Sequence, residues 1–255
     1  MRWLVACVCL ALPLAASADP ATDKVVDCMR ANIPPTVRIQ TVEVTAFDRT
    51  GGERTMRGRL FGMKEDARVR VMLKIDAPVD LAGASYLVRE AQPADEMYLY
   101  LPSVNRVRRI TGAALDGQLW GTDLSYNDFK QIQNAFSGAQ ITREPDAMFE
   151  GKPVYVVAFK PNKEDGSHFT KIRALVEQKS CVAVSVEFID PTGVRKTVTV
   201  HPKDLKQSGN KWYASEADVR DVKNMTHTRL KVLGLEVADK LANRYFNPQT
   251  FYLGN

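Results

Sequence analysis

The sequence predicts a mainly β protein with a few helices: an incomplete antiparallel β-barrel, or curved sheet, wrapped around helices. Three observations lead there. Apolar and polar residues alternate with a period of two through about ten segments, the pattern of strands with one buried face. The segments are joined mostly by short turns, and short connections force antiparallel neighbours. Only two stretches carry helical spacing.

Taken in order, the chain opens with a leader. "MRWLVACVCLALPLAASADP" has one early positive charge, Arg2, an apolar run from Leu4 to Ala16, and small residues at Ala16-Ser17-Ala18. That is the layout of a secretory signal peptide, with cleavage expected after Ala18. The run is too short to span a bilayer as a helix, which takes about 20 apolar residues. A lipoprotein signal is the competing reading, since Leu4-Val5-Ala6-Cys7 fits a lipobox. It would leave almost no hydrophobic region ahead of the cysteine. No later stretch is apolar enough to cross a membrane as a helix, so residues 19–255 are expected to form one soluble domain. No linker, low-complexity tract or repeat divides them.

The first helical stretch is "ATDKVVDCMRAN" (21–32), with Thr22 as a candidate N-cap and Val25, Cys28 and Met29 on one face. Strands follow. "VRIQTVEV" (37–44), the turn "DRTGGE" and "RTMRGRLFGM" read as a hairpin. In "RVRVMLKI", Val69, Val71, Leu73 and Ile75 share one face, opposite Arg70 and Lys74. "EMYLYLP" alternates Met97, Leu99 and Leu101 with Tyr98 and Tyr100; Pro102 ends it, and "RVRRI" begins the next strand. "SYNDFKQIQNAF" (125–136) is the second helix. It opens on Ser-x-x-Asp, close to a capping box, and spaces Phe129, Ile132 and Phe136 at helical intervals. "PVYVVAFKP", "KIRALVEQ", "CVAVSVEFID", "VRKTVTVHP", "KWYASEADVRDV" and "HTRLKVLGLEV" complete the strands, with Asp190-Pro-Thr-Gly193 as a turn. If so long a sheet curls and its few helices do not fill it, an apolar cavity remains.

Charge and chemistry exclude several functions. Loss of the leader removes Arg2 and lowers the net charge from +5 to +4, with 34 basic against 30 acidic residues. That is no nucleic-acid-binding balance, though it suits anionic lipids or acidic partners. His168, His201 and His227 lack metal-ligand spacing, and no nucleophile elbow, phosphate loop or dinucleotide fingerprint occurs. Asp123 and Asp128 lie close in sequence, but capping accounts for Asp128. No cofactor, no metal and no enzymatic activity are expected. The leader carries away Cys7 and Cys9, leaving Cys28 and Cys181. In an oxidising compartment these most simply form one disulfide, the alternative being two separate buried thiols.

"YLYLPSVNRVRRITG" followed by "WGTDLSYNDF" resembles the outer-membrane lipoprotein-sorting protein family, distant relatives of the periplasmic lipoprotein carrier LolA. The family's aromatic-Leu-Pro strand, Arg-rich hairpin and Gly-(Ser/Thr)-Asp turn into a helix correspond to Tyr98–Pro102, Arg106–Ile110 and Gly121–Asp128. Met97-Tyr98 replaces the first aromatic, and Asn127 stands where an acidic residue is common. The resemblance extends to "TAFDRTGGERTMRGRLF", "FEGKPVYVVAFKP", "DPTGVRKTVTV" and "NRYFNPQTFY". It implies a LolA-like fold with a cavity for acyl chains, and a periplasmic carrier of lipid or lipoprotein cargo. Partners would be an inner-membrane exporter of the RND/MMPL type and an outer-membrane acceptor. A monomer is expected. The cavity walls would come from the apolar faces: Val69, Val71, Leu73, Ile75, Leu99, Leu101, Val154 and Val156. Arg106, Arg108 and Arg109 would form a polar rim able to hold a phosphate, a carboxylate or an acidic partner. The alternative is a periplasmic sensor or adaptor on the same fold, binding a lipoprotein or protein partner without transfer.

Overall fold

The structure, a computed structural model, describes residues 20–133, 140–161, 167–238 and 243–253. The leader and its cleavage point lie outside the described residues, as does Phe136. Helix α1 (Pro20–Ala31) precedes β1 (Val37–Phe47), β2 (Glu53–Glu65), β3 (Arg68–Ala77), β4 (Ser85–Arg89), β5 (Glu96–Leu101) and β6 (Arg106–Arg109). Helix α2 (Tyr126–Gln133) leads to β7 (Gln140–Phe149), β8 (Lys152–Lys160), β9 (Lys171–Glu177), β10 (Ala183–Asp190) and β11 (Gly193–Thr199). Then come β12 (Leu205–Ser208), β13 (Lys211–Ala214), β14 (Glu216–Asp221) and β15 (Thr226–Ala238).

Thirteen strands form one sheet in the order β6-β5-β4-β3-β2-β1-β15-β14-β11-β10-β9-β8-β7, while β12 and β13 pair as a separate ribbon. Every pairing is antiparallel. Two meanders make up the large sheet. One runs outward from β1 to β6, and the other runs inward from β7 to β15. They join at the centre, where β1 and β15 pair from Val37↔Ala238 to Phe47↔His227. The edge strands β6 and β7 do not meet, so the sheet is curved but not closed into a barrel.

Burial alternates across the sheet. On one face Val42, Val69, Val71, Leu73, Ile75, Tyr86, Val88, Met97 and Leu99 pack with Ile110, Leu115 and Phe129 of α2. In the other half the same face carries Val157, Phe159, Ile172, Ala174, Val186 and Phe188, packed on Val25 and Met29 of α1. The opposite face also buries apolar side chains. Val37, Phe61, Met72 and Leu87 lie with Tyr245 and Phe251 of the C-terminal segment, and Tyr100 stacks on Tyr252 with ring centroids 4.1 Å apart. The strand "EMYLYLP" thus supplies one core with Met97 and Leu99 and another with Tyr98 and Tyr100.

Three strands escape the alternation rule. Ser85, Tyr86, Leu87 and Val88 of β4 are all buried, so no polar residue marks an outer face. In β7 a bulge at Glu144/Ala147 falls beside Pro145 and breaks the period. The third, β12, spans four residues. "KWYASEADVRDV" divides at Ser215 between β13 and β14.

The cysteines are bonded. Cys28 in α1 and Cys181 ahead of β10 form a disulfide with Cα atoms 5.5 Å apart, closing a separation of 153 residues. It pins α1 to the second meander.

Candidate functional site

Between the sheet and the two helices lies a cavity of about 280 Å³. Its walls come from most of the chain: Val42 and Val44 of β1, Met56 and Leu60 of β2, Leu73 and Ile75 of β3. Val198, Val219, Leu230 and Val232 of the second meander face them. Met29 of α1 and Phe129 and Ile132 of α2 cover the space, and Trp212, Tyr213 and Ala214 of β13 border it. Among the described residues the lining contains no carboxylate, histidine or lysine; its one charged side chain is Arg38. No group of three or more His, Cys, Asp or Glu among the described residues is placed to hold a metal ion.

The segment "WGTDLSYNDF" builds one wall. Trp120, Thr122 and Leu124 line the cavity, and Trp120 takes a left-handed backbone (φ 51°) just before Gly121 (φ 83°). Asp123, between two lining residues, turns away to β15. It accepts hydrogen bonds from the hydroxyls of Thr226 and Thr228, the latter at 2.6 Å. Ser125 and Asp128 then close a reciprocal capping box: Ser125 Oγ accepts from Asp128 N at 3.0 Å, and Asp128 Oδ2 accepts from Ser125 N at 2.9 Å. Lys196 of β11 donates to the same carboxylate at 2.6 Å, with both side chains almost fully buried. One short segment therefore caps α2 and ties it to the far half of the sheet. Tyr86 adds a tie from β4, its buried hydroxyl donating to the Tyr126 carbonyl at 3.0 Å. Burial raises the Tyr86 phenol well above its ordinary value.

The sequence-derived wall residues separate into three groups. Leu73 and Ile75 line the cavity. Val69, Val71, Leu99 and the half-buried Leu101 share the core cluster of Leu73 and Ile75, further along the sheet, where side chains fill the space. Val154 and Val156 lie in a separate cluster with Val184, against Phe149, Leu175 and Leu205. On β8 it is Tyr155, Val157 and Phe159 that meet the cluster beneath α1.

Arg106, Arg108 and Arg109 are exposed on β6, an edge strand, and do not line the cavity. Val107 packs into the core of the opposite face and Ile110 into that of the cavity face. Three arginines on an edge strand also discourage pairing with another chain.

The residue that the sequence did not single out is Arg38. It lines the cavity on the same face as Gln40, Val42 and Val44, and burial lowers its guanidinium below the usual arginine range, with Tyr213 acting the other way. In "VRIQTVEV" the two faces carry Arg-Gln-Val-Val and Val-Ile-Thr-Glu, so each is apolar at one end only. That mixed pattern is the one local sign of a polar group entering an apolar wall.

The comparisons with known proteins agree with this architecture. A family model described as "-like: Uncharacterized protein" matches residues 67–252, and the chain belongs to that family. In fold it is similar to an outer membrane lipoprotein-sorting protein domain from Vibrio parahaemolyticus, at 23% identity and a TM-score of 0.81, covering 91% of this chain and 98% of that one. It is similar likewise to a DUF1329 family protein from Desulfovibrio piger, at 18% identity and a TM-score of 0.79, with 90% and 98% covered. A LolA superfamily protein from Nitrosomonas europaea gives 13% identity and a TM-score of 0.70, with 89% and 97% covered. These likenesses are of fold, a large curved antiparallel sheet with few helices. No curated protein matches the sequence.

Proposed function

We propose that this chain is a periplasmic carrier that takes up the acyl chain of a lipid or lipoprotein and shuttles it between the inner and outer membranes. The observation that carries the reading is the cavity: about 280 Å³, walled by aliphatic and aromatic side chains and free of carboxylate, histidine and lysine among the described residues. A hydrocarbon tail exposed to water costs about 0.8 kcal/mol per methylene, so transit between membranes needs such a shelter. A lining with no carboxylate, histidine or lysine among the described residues suits binding rather than catalysis.

Residues 1–18 act as the leader in this reading, and residues 19–255 form one carrier domain, working as a monomer. The Cys28–Cys181 bond accords with an oxidising compartment. Cargo passes from an inner-membrane transporter of the RND/MMPL type to an outer-membrane acceptor. The exposed Arg106, Arg108 and Arg109 meet the anionic surface of a membrane or an acidic partner.

The test is native mass spectrometry and lipid extraction of the protein purified from its own periplasm, followed by transfer of the recovered lipid between donor and acceptor vesicles. Bound lipid that moves with the protein supports the carrier. A stable protein complex with neither bound lipid nor transfer would turn the reading to a sensor or adaptor.

A further inference from the structure

Among the described residues Arg38 is the one charged side chain in a mainly apolar lining that also holds Asn32, Gln40 and Tyr213, and its hydrogen-bond partner is a neutral carbonyl. Its Nη1 donates to the Asn32 carbonyl at 3.3 Å, and no carboxylate among the described residues pairs with it. A guanidinium offers five N–H donors in a planar fork that matches a carboxylate or phosphate. One long hydrogen bond to a neutral oxygen leaves most of that capacity unused on a half-buried side chain.

The surroundings leave room for an anion. Gly62 of β2 stands directly across from Arg38 on the same face, and a Cβ built there meets nothing within 4 Å. On the other side the cross-strand neighbour is Val237 of β15, 53% exposed, whereas Val42, further along β1, is 1% exposed and pairs with the half-buried Val232. Exposure along these two strands thus rises toward Arg38. The arginine sits at the solvent end of the trough, with Gln40 next inward on the same face and the apolar wall of Val42 and Val44 beyond it. A charge at the open end of a greasy slot is the complement of an amphiphile lying head outward.

We infer that the cavity selects single-tailed amphiphiles with an anionic head, a carboxylate or a phosphate, and that Arg38 binds that head while the tail runs along Val42 and Val44 toward α2. This rests on the carrier reading above and adds the class of head group. Gly62 is the space the head group occupies.

The test compares decanoate with decanol, which share a tail and differ in charge, by displacement of an environment-sensitive fluorophore from the intact protein at pH 8. Decanoate should bind about tenfold tighter, the size of one charge-assisted hydrogen-bonding contact. Arg38→Gln should erase the difference by weakening decanoate and leaving decanol unchanged. Arg38→Lys should keep part of the preference. Gly62→Asp places a carboxylate across from Arg38 and should abolish the preference with the arginine still present, so the inference stays testable if Arg38→Gln does not fold. Equal binding of both ligands by the unaltered protein would overturn the inference and leave the carrier standing. Binding of neither would sink both. A preference that survives Arg38→Gln would place the anion elsewhere and also overturn it. Inorganic phosphate should not displace decanoate at millimolar concentration; displacement would mean a free-anion site and count against an amphiphile.

Discussion

A series of monoacylglycerols differing only in tail length measures the cavity while leaving head-group charge out of the comparison. A methylene fills roughly the share of volume that a water molecule takes in the liquid, ~30 Å³. A cavity of about 280 Å³ therefore takes up about nine of them at that volume. Each buried methylene contributes about 0.8 kcal/mol, so affinity should climb about fourfold per added carbon. It should level off once the tail outgrows the space, near nine or ten carbons by the same volume. The assay is displacement of a fluorescent probe below the micellar concentration of each ligand. Ala217→Trp sharpens it. Ala217 lines the cavity on β14, so an indole there occupies volume that the tail would use. The plateau should then arrive several carbons earlier, with thermal stability changed by no more than about 1–3 kcal/mol. An affinity that ignores tail length, or a plateau that Ala217→Trp does not move, would refute the placement of hydrocarbon in this cavity.

Three further outcomes are expected. Replacing both Cys28 and Cys181 by Ala should lower stability in urea unfolding, by up to about 5 kcal/mol in the chain-entropy account of a 153-residue separation. Equal unfolding midpoints would mean the bond adds nothing. Asp128→Ala should cost about 3–5 kcal/mol in the same assay, because it strands the buried Lys196 ammonium and opens the capping box; Asp128→Leu with Lys196→Met should recover much of the loss. Glu144 is held below the usual carboxylate range by hydrogen bonds from Lys171 and Arg173. Its folded pKa lies below the unfolded one, so its contribution is complete above about pH 4.3 and is lost as pH falls through the lowered folded value. Glu144→Gln should therefore narrow the gap between stability at pH 6 and at pH 3, read by thermal melts; an unchanged gap would contradict the shift.

Particular residues show how much was legible beforehand. Val69, Val71, Leu73 and Ile75 alternate with Arg70, Met72 and Lys74, and all four are buried on one face of β3, because a strand's period is a property of its own backbone. Ser125 and Asp128 stand at capping distance in sequence and form that box in space, because three residues separate an N-cap from the third residue of any helix. Where those faces lead was not legible. Leu73 and Ile75 line the cavity while Val69 and Val71 meet other side chains, a difference that alternation along one strand does not encode. On β8 both faces are apolar, so alternation could not tell which one looks toward α1, and the structure gives that place to Val157 and Phe159.

The sequence by itself determined the short-range strands and helices and the antiparallel habit of neighbours, and it pointed to a bond between Cys28 and Cys181. These follow from local periodicity, turn chemistry and residue counts. Tertiary structure alone decided that β1 pairs with β15, that β6 and β7 remain apart, and that Arg38 lies beside a bare glycine at the exposed end of an oily trough. A period of two says which side chains share a face, but not what the rest of the chain lays over it.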